Sequence, residues 1–299
     1  MVQLLSRLMT LIVVVVLYYV VEWRSRKASQ NLNSLQKVCL LLLQGLTLIK
    51  LGGSVVTFKE KPLAANIDAI DGISRALTQL DVPIIIVHGG GSFGHYWSVK
   101  YDMHTKSDNY DIHGVSIVHE SMIALNQIIV NSMIRVGLNP YGMPPSALMT
   151  GHKPIVAKIK HIYAMAQSKV IPITFGDIVY VGGTKYSILS GDALMTILAR
   201  ALRPLKIIFA TNVDGVYKNS VSRELVNEIQ IEDKSKSIEF FKTSGTDATG
   251  GMQRKVTEAF KIASHGMDVV MINGLMPERI VEAAEGTLKI GTVVKGRKR

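Results

Sequence analysis

The sequence predicts an α/β fold, a three-layer αβα sandwich around a largely parallel central sheet, and three observations predict it. From Leu46 onward, short apolar runs alternate with amphipathic stretches, the rhythm of successive strand and helix units. Several of the apolar runs open directly into glycine-rich loops, as strands of such sheets do at their carboxyl ends. The chain has 299 residues, 47% of them hydrophobic, which is enough to fill a full core on both faces of a sheet.

The strands are expected at Leu46 to Leu51, Pro83 to His88, Val170 to Thr174, Leu205 to Ala210 and Asp268 to Ile272. Each is a short, mostly apolar run, as befits strands of a covered sheet. Helices are expected over Asn66 to Leu80, His113 to Val136, Asp192 to Leu202, Gly251 to His265 and Pro277 to Ala284, where apolar residues recur at helical spacing. Ile178 to Val181 and Lys185 to Leu189, joined through Gly182-Gly183, read as a β-hairpin. The chain has no internal repeat and no low-complexity linker.

Three glycine loops point to the chemistry. His88-Gly-Gly-Gly-Ser-Phe-Gly-His95 follows the run Pro83 to Val87, and alone it reads equally as a tight turn. A second loop, Lys50-Leu-Gly52-Gly53-Ser54, ends the first strand with one lysine before its glycines and another, Lys59, after them. The third, Ser244 to Gly251, runs into a helix whose first turns carry Arg254 and Lys255, where free N–H groups already favour an anion. Glycines admit backbone N–H groups close to phosphate oxygens, so three such loops with cations beside them imply a polyphosphate ligand. The loops Gly52-Gly53, His88 to His95, Gly176-Asp177 and Asn212 to Gly215 all follow strands, which places them on one edge of the sheet.

Composition narrows the alternatives. The net charge of +11 is spread along the chain apart from the tail Lys295 to Arg299, with no basic stripe interleaved with aromatics, so nucleic acid is a poor partner. The single cysteine, Cys39, excludes an internal disulfide framework and fits a reducing cytoplasm. Residues 1–45 form an apolar and basic extension: Leu8 to Val21 is nearly all apolar, flanked by Arg7, Arg24, Arg26 and Lys27. That run is shorter than the ~20 residues a spanning helix needs. A short membrane anchor, a docking or disordered extension, and an upstream start codon remain as readings. The last is favoured, because the first strand of the 46–299 domain begins near Leu46 and such strands usually sit close to the true start of a chain.

In order and spacing, Lys50-Leu-Gly-Gly-Ser54, Lys59, His88 to His95, Gly176-Asp177, Ser190-Gly191-Asp192, Ala210-Thr-Asn-Val-Asp214-Gly-Val216 and Asp247 to Lys255 resemble the amino acid kinase superfamily. Within it, Phe93-Gly94-His95 resembles the isopentenyl phosphate kinases of the archaeal type and the related fosfomycin kinases. The resemblance covers residues 46 to 294. It implies an amino acid kinase-like fold, a homodimer, and ATP-dependent phosphorylation of isopentenyl phosphate to the diphosphate, an isoprenoid precursor of the alternate mevalonate route, with Mg2+ arriving on ATP and no protein metal ligand. Lys50 and Lys59 then attend the transferring phosphoryl group, and Lys255 the β- and γ-phosphates. Gly52, Gly53, Ser54, Gly91, Asn212, Asp214, Gly215 and Gly250 complete the nucleotide site. His95 holds the acceptor phosphate, with Gly53, Gly90, Gly176, Gly191 and Asp192 around it. Asn212 departs from the pattern, since similar kinases often carry aspartate there.

The chemistry agrees with that implication. A phosphate monoester has its second pKa near ~6, so the attacking oxygen is already anionic and no general base is required. Repulsion between anions is the obstacle, about 4 kcal/mol for unit charges ~4 Å apart at an effective dielectric near ~20. Blander roles compete for several residues. Lys59 alone reads as a solvated lysine, His88 as a structural histidine bonded to its loop, and Asp177 and Asp192 as turn or helix caps. His104, His113, His119, His152, His161 and His265 have no supporting constellation. The stripe Val115, Val118, Met122, Leu125, Ile129 and Met133 reads as core. Two other functions compete: a kinase of another small phosphate or phosphonate such as fosfomycin, and a non-catalytic nucleotide sensor. Retention of Lys50, Lys59 and Lys255 argues against the sensor.

Overall fold

The structure, a computed structural model, describes residues 45–103, 110–218, 224–231 and 251–297, all within the compact unit Gly45–Arg299. The expected extension up to residue 44, His104, and Gly250 with most of the third glycine loop lie outside the described residues.

Strand β1 (Thr47–Leu51) leads through a single helical turn, α1 (Gly53–Val56), to helix α2 (Ile67–Leu77) and strand β2 (Ile84–His88). Helices α3 (Gly91–Lys100) and α4 (Ile112–Arg135) follow, then three short strands, β3 (Pro140–Gly142), β4 (Met149–Thr150) and β5 (Lys153–Pro154). Helix α5 (Val156–Gln167) precedes β6 (Ile171–Phe175) and the hairpin β7 (Asp177–Gly182) and β8 (Lys185–Leu189). The remaining elements are α6 (Gly191–Leu202), β9 (Lys206–Thr211), β10 (Glu228–Ile229), α7 (Gly251–Ala263), β11 (Val269–Asn273), α8 (Glu278–Glu285) and β12 (Thr292–Val294).

Eight strands form the central sheet in the order β10-β12-β11-β9-β1-β2-β6-β3. Every neighbouring pair is parallel except β11 with β12, so the sheet is largely parallel as its apolar strands predict. β1 lies between β2 and β9, with Lys50 level with Val87 on one side and Phe209 on the other. Successive side chains of a strand point to opposite faces. Leu48, Ile85, Val87, Ile207 and Phe209 therefore meet α5, α6 and α7 on one face, while Ile49, Leu51, Ile84, Ile86 and Ile208 meet α2, α4 and α8 on the other. These are the three layers. Lys50 shares the face of Leu48 and so points toward α6.

The helix starts follow local chemistry. Asn66 accepts from the Ala69 N–H at 3.3 Å, Asp111 from His113 at 3.0 Å and Ser190 from Ala193 at 3.1 Å, each satisfying an otherwise orphaned donor. The stripe on α4 is core as expected, with Leu125 and Ile129 fully buried. One expectation fails: Gly91 to His95 is not loop but the first turns of α3. The short strands β3, β4, β5, β10 and β12, and helix α5, have no counterpart among the elements the sequence pattern predicts. Burial of α5 through Ile159, Ile162 and Ala166 decides that segment.

Leu125→Ala removes a fully buried side chain from the middle of α4, and an unfolding free energy lower by about 2–5 kcal/mol is expected in urea titration. A loss below ~1 kcal/mol would show that α4 does not pack against the sheet as described.

Candidate active site

β1, β2, β6 and β9 end side by side at Leu51, His88, Phe175 and Thr211, and the loops after them meet at that edge. The first two loops are in contact. A Cβ built on Gly53 would stand 2.3 Å from the Gly91 nitrogen, so no side chain fits there. Gly91 itself has φ +48°, a backbone region that favours glycine. Thr57 ties the two loops together: its hydroxyl donates to the Gly53 carbonyl at 2.7 Å and accepts from the Ser92 N–H at 2.9 Å. At the start of α3 the Thr57 hydroxyl takes the Ser92 N–H and the Gly90 carbonyl takes those of Phe93 and Gly94, so the donors left for a ligand at this edge are the N–H groups of Gly90 and Gly91. Free helix N–H groups suit a phosphate.

Lys50 is the charged centre. Its side chain is only 4% exposed, and its Nζ lies 2.9 Å from Asp192 Oδ1 in the first turn of α6. Burial pushes the Asp192 carboxyl up, but Lys50, and then Lys255 and Arg254 on α7, hold it below the usual carboxylate range. Lys50, Asp192 and Lys255 thus form one electrostatic group built from β1, α6 and α7. Gly191 lets α6 start against it, since a Cβ there would meet Lys50 Cε at 3.2 Å and the His88 carbonyl at 3.0 Å. Gly176 donates its N–H to that same His88 carbonyl at 3.1 Å, which brings the third strand end into the cluster.

His88 is structural, as its alternative reading held. Its ring is fully buried and stacked on Phe175 at 5.1 Å between centroids, with Nδ1 3.1 Å from the Gly89 carbonyl. A carbonyl can only accept, so the proton sits on Nδ1. Burial pushes its pKa down to about 4, against the hydrogen bonds, and it is neutral near pH 7. His95 projects from the second turn of α3 as an exposed side chain, and Lys59 is exposed in the turn after Thr57.

The loop after β9 divides. Ser54 donates to Asn212 Oδ1 at 3.1 Å, so Asn212 joins the first loop through a neutral contact. The Asp214 carboxylate instead takes Arg279, Asn273 at 3.2 Å and the Tyr217 hydroxyl at 3.2 Å. Arg279 first of all holds it below its ordinary range. Gly215 is packed on Thr292, whose hydroxyl accepts from the Val216 N–H at 2.8 Å. Asp214 and Gly215 therefore brace the loop from behind.

His119 corrects the expectation that it stands alone. Its Nδ1 lies 2.6 Å from Asp177 Oδ2, joining α4 to the first residue of β7, while Asp177 Oδ1 accepts from the Ile178 N–H at 2.8 Å. Sequence could not reveal a pair so distant in the chain. Thr57 escaped for a similar reason, its role being set by a loop that arrives later. Among the described residues no cluster of His, Cys, Asp and Glu is placed to hold a metal ion, and no helix is long and apolar enough to cross a membrane.

A parallel-sheet edge carrying glycine loops, helix N-termini and a buried lysine suits phosphoryl transfer. The family model for the amino acid kinase family matches residues 45–273, and the chain belongs to that family. More particularly, it is 32% identical over 250 residues to an isopentenyl phosphate kinase of Thermoplasma acidophilum, across 83% of this chain and 99% of that one. It is 30% identical to an isopentenyl phosphate kinase of Methanothermobacter thermautotrophicus, across 84% of this chain and 99% of the other. The crystal structure of an isopentenyl phosphate kinase substrate complex superposes with a TM-score of 0.69 at 28% identity, covering 84% of this chain and all of that chain. A product complex of the T. acidophilum enzyme matches with a TM-score of 0.69 at 29% identity.

The His119 imidazole is raised above its ordinary value by its hydrogen bond to Asp177, against burial. Its stabilising contribution is complete below the unfolded value near ~6.5 and is lost as pH rises through the higher folded value. Melting temperature is therefore expected to fall between pH 6 and 8.5, and to fall less steeply in His119→Asn. An unchanged slope in the variant would remove the pair from the account of stability.

Proposed function

We propose that this protein phosphorylates isopentenyl phosphate to isopentenyl diphosphate with ATP, by direct in-line transfer. The observation that carries the reading is the pairing of Lys50 with Asp192 beside the touching glycine loops, in a chain that matches isopentenyl phosphate kinases over nearly their whole length.

The acceptor's attacking oxygen is anionic at neutral pH, so the work is electrostatic. Asp192 keeps the Lys50 ammonium at the end of β1, aimed at the loop edge where the γ-phosphate would sit. Lys50 and Lys59 neutralise charge on the phosphoryl group in flight, while Lys255 holds the β- and γ-phosphates. The N–H groups of Gly53, Gly90 and Gly91 supply donors, Gly52, whose own N–H is held by the Ala210 carbonyl, lets the loop turn beside the nucleotide, and Ser54 with Asn212 closes the nucleotide side. Gly250 belongs to the same set by its place in the motif. His95 binds the acceptor phosphate, with Gly176, Gly191 and Asp192 forming the floor. Asp214 and Gly215 serve the nucleotide indirectly, by keeping the Asn212 loop in place.

Mg2+ would come with ATP, held by the nucleotide and water rather than by residues of this chain, and would supply charge neutralisation there. Asp192 is already committed to Lys50, which fits a metal held mainly by the nucleotide. Two copies of the chain associate through the first half of the domain, where α4 exposes Ile123 and Ile134. The enzyme works in the cytoplasm, and no residue of the proposed site precedes Lys50.

A coupled ATP-consumption assay on the full chain tests the reading, with isopentenyl phosphate, dimethylallyl phosphate, fosfomycin, acetylglutamate and UMP as acceptors. Isopentenyl phosphate is expected to give the highest kcat/KM. A hydrogen bond to a charged group contributes about 1.5–3 kcal/mol, so His95→Ala should lower that value by roughly ten- to a hundredfold. Turnover of another acceptor alone would keep the kinase and discard the substrate.

A further inference from the structure

Helices α6 and α7 carry two of the three charges of the electrostatic group, Asp192 and Lys255, near their N-termini. Further along the same faces the helices meet again. Thr196, four residues after Asp192, donates its hydroxyl to Glu258 Oε2 at 2.6 Å, and Glu258 lies three residues after Lys255. Residues three and four apart share a helix face, so each partner of this hydrogen bond stands one turn behind a charge. Thr196 is buried, and the Glu258 side chain is 13% exposed, with its other oxygen 2.6 Å from Lys261 Nζ. The bond is therefore shielded and charge-assisted, the kind that fixes geometry.

We propose that Thr196 and Glu258 are positioning residues whose hydrogen bond sets the axial register of α7 against α6, and with it the height of Lys255 above Asp192 and its hold on the distal phosphates of ATP. Apolar packing between the helices, through Leu194, Leu198, Val256 and Phe260, tolerates a slide of a fraction of a turn, because dispersion contacts are non-directional. A short hydrogen bond does not. Asp192 feels the charges of both Lys255 and Arg254, as α7 placed at this height requires. Neither Thr196 nor Glu258 is part of any glycine loop, and their chain positions give no hint of the contact.

The proposal rests on the assignment of Lys255 to the β- and γ-phosphates. Its test uses nucleotide affinity, so it does not depend on the acceptor. Calorimetry on the full chain would compare Mg·ATP and AMP for the wild type, Thr196→Val, Lys255→Ala and the double variant. Thr196→Val is expected to weaken ATP on the order of fivefold to tenfold while AMP, which lacks the distal phosphates, stays within about twofold; in the Lys255→Ala background it should cost nothing further. Thr196→Ser should restore ATP binding. Glu258→Met removes the same bond from the other helix and should reproduce the pattern if the valine variant folds poorly. Equal loss for ATP and AMP, an undiminished effect in the Lys255→Ala background, or no effect of either variant would overturn the proposal. Failure to phosphorylate isopentenyl phosphate alongside the expected pattern would discard the acceptor and leave the clasp standing.

Discussion

A lysine at the end of a central strand, closed in by helices, must find a counter-charge or lose its own. Lys50 finds Asp192 2.9 Å away, and much of the architecture serves that meeting. β1 must lie in the middle of the sheet for Lys50 to reach the active edge from the interior. α6 must begin against the strand ends, which the glycine at 191 permits. Removing one member of a buried pair typically costs about 3–5 kcal/mol, because the survivor is left uncompensated. In the proposed function, stability and phosphate chemistry therefore draw on the same two side chains.

Around that pair the loops are stitched by small groups rather than large ones. Thr57 bonds both glycine loops at once, Ser54 reaches Asn212, and the His88 carbonyl collects the Gly176 N–H. None of these contacts brings bulk into the space that the proposed function gives to the phosphates. Bulk is kept behind it: His88 stacks on Phe175 below, and Arg279 with Asn273 and Tyr217 fixes Asp214 at the rear. The division separates groups that face the ligand from groups that hold those groups still.

The sequence made the layered sheet legible because its strongest signals are local. Apolar runs such as Ile84 to Val87, short, β-branched and followed by glycines, read as strands buried on both faces, and Asp192 to Leu202 carries its helical period plainly. The site was legible where its chemistry lies in short motifs, as at Lys50 to Ser54 and His88 to His95. Helix α3 was hidden because Gly91-Ser-Phe-Gly has weak helix preference and no clear apolar face, so tertiary packing of Ser92 and Phe93 decides its conformation. The His119–Asp177 pair, the Thr57 bridge and the contact of Thr196 with Glu258 were hidden for another reason: each joins segments whose nearness is a product of the fold.

Sheet order also governs how the chain comes into being. β1 is the first described strand to be made, yet one of its two neighbours, β9, follows only after β2, β6 and six helices. Until then a growing chain presents β1 as an open edge, with five buried-type residues and unpaired backbone groups. Such edges recruit other strands, so the interval before β9 emerges is when this chain is most exposed to aggregation and most in need of a chaperone. The centrality that shelters Lys50 in the finished molecule makes its strand the one that waits longest, from β1 to β9, for its second neighbour.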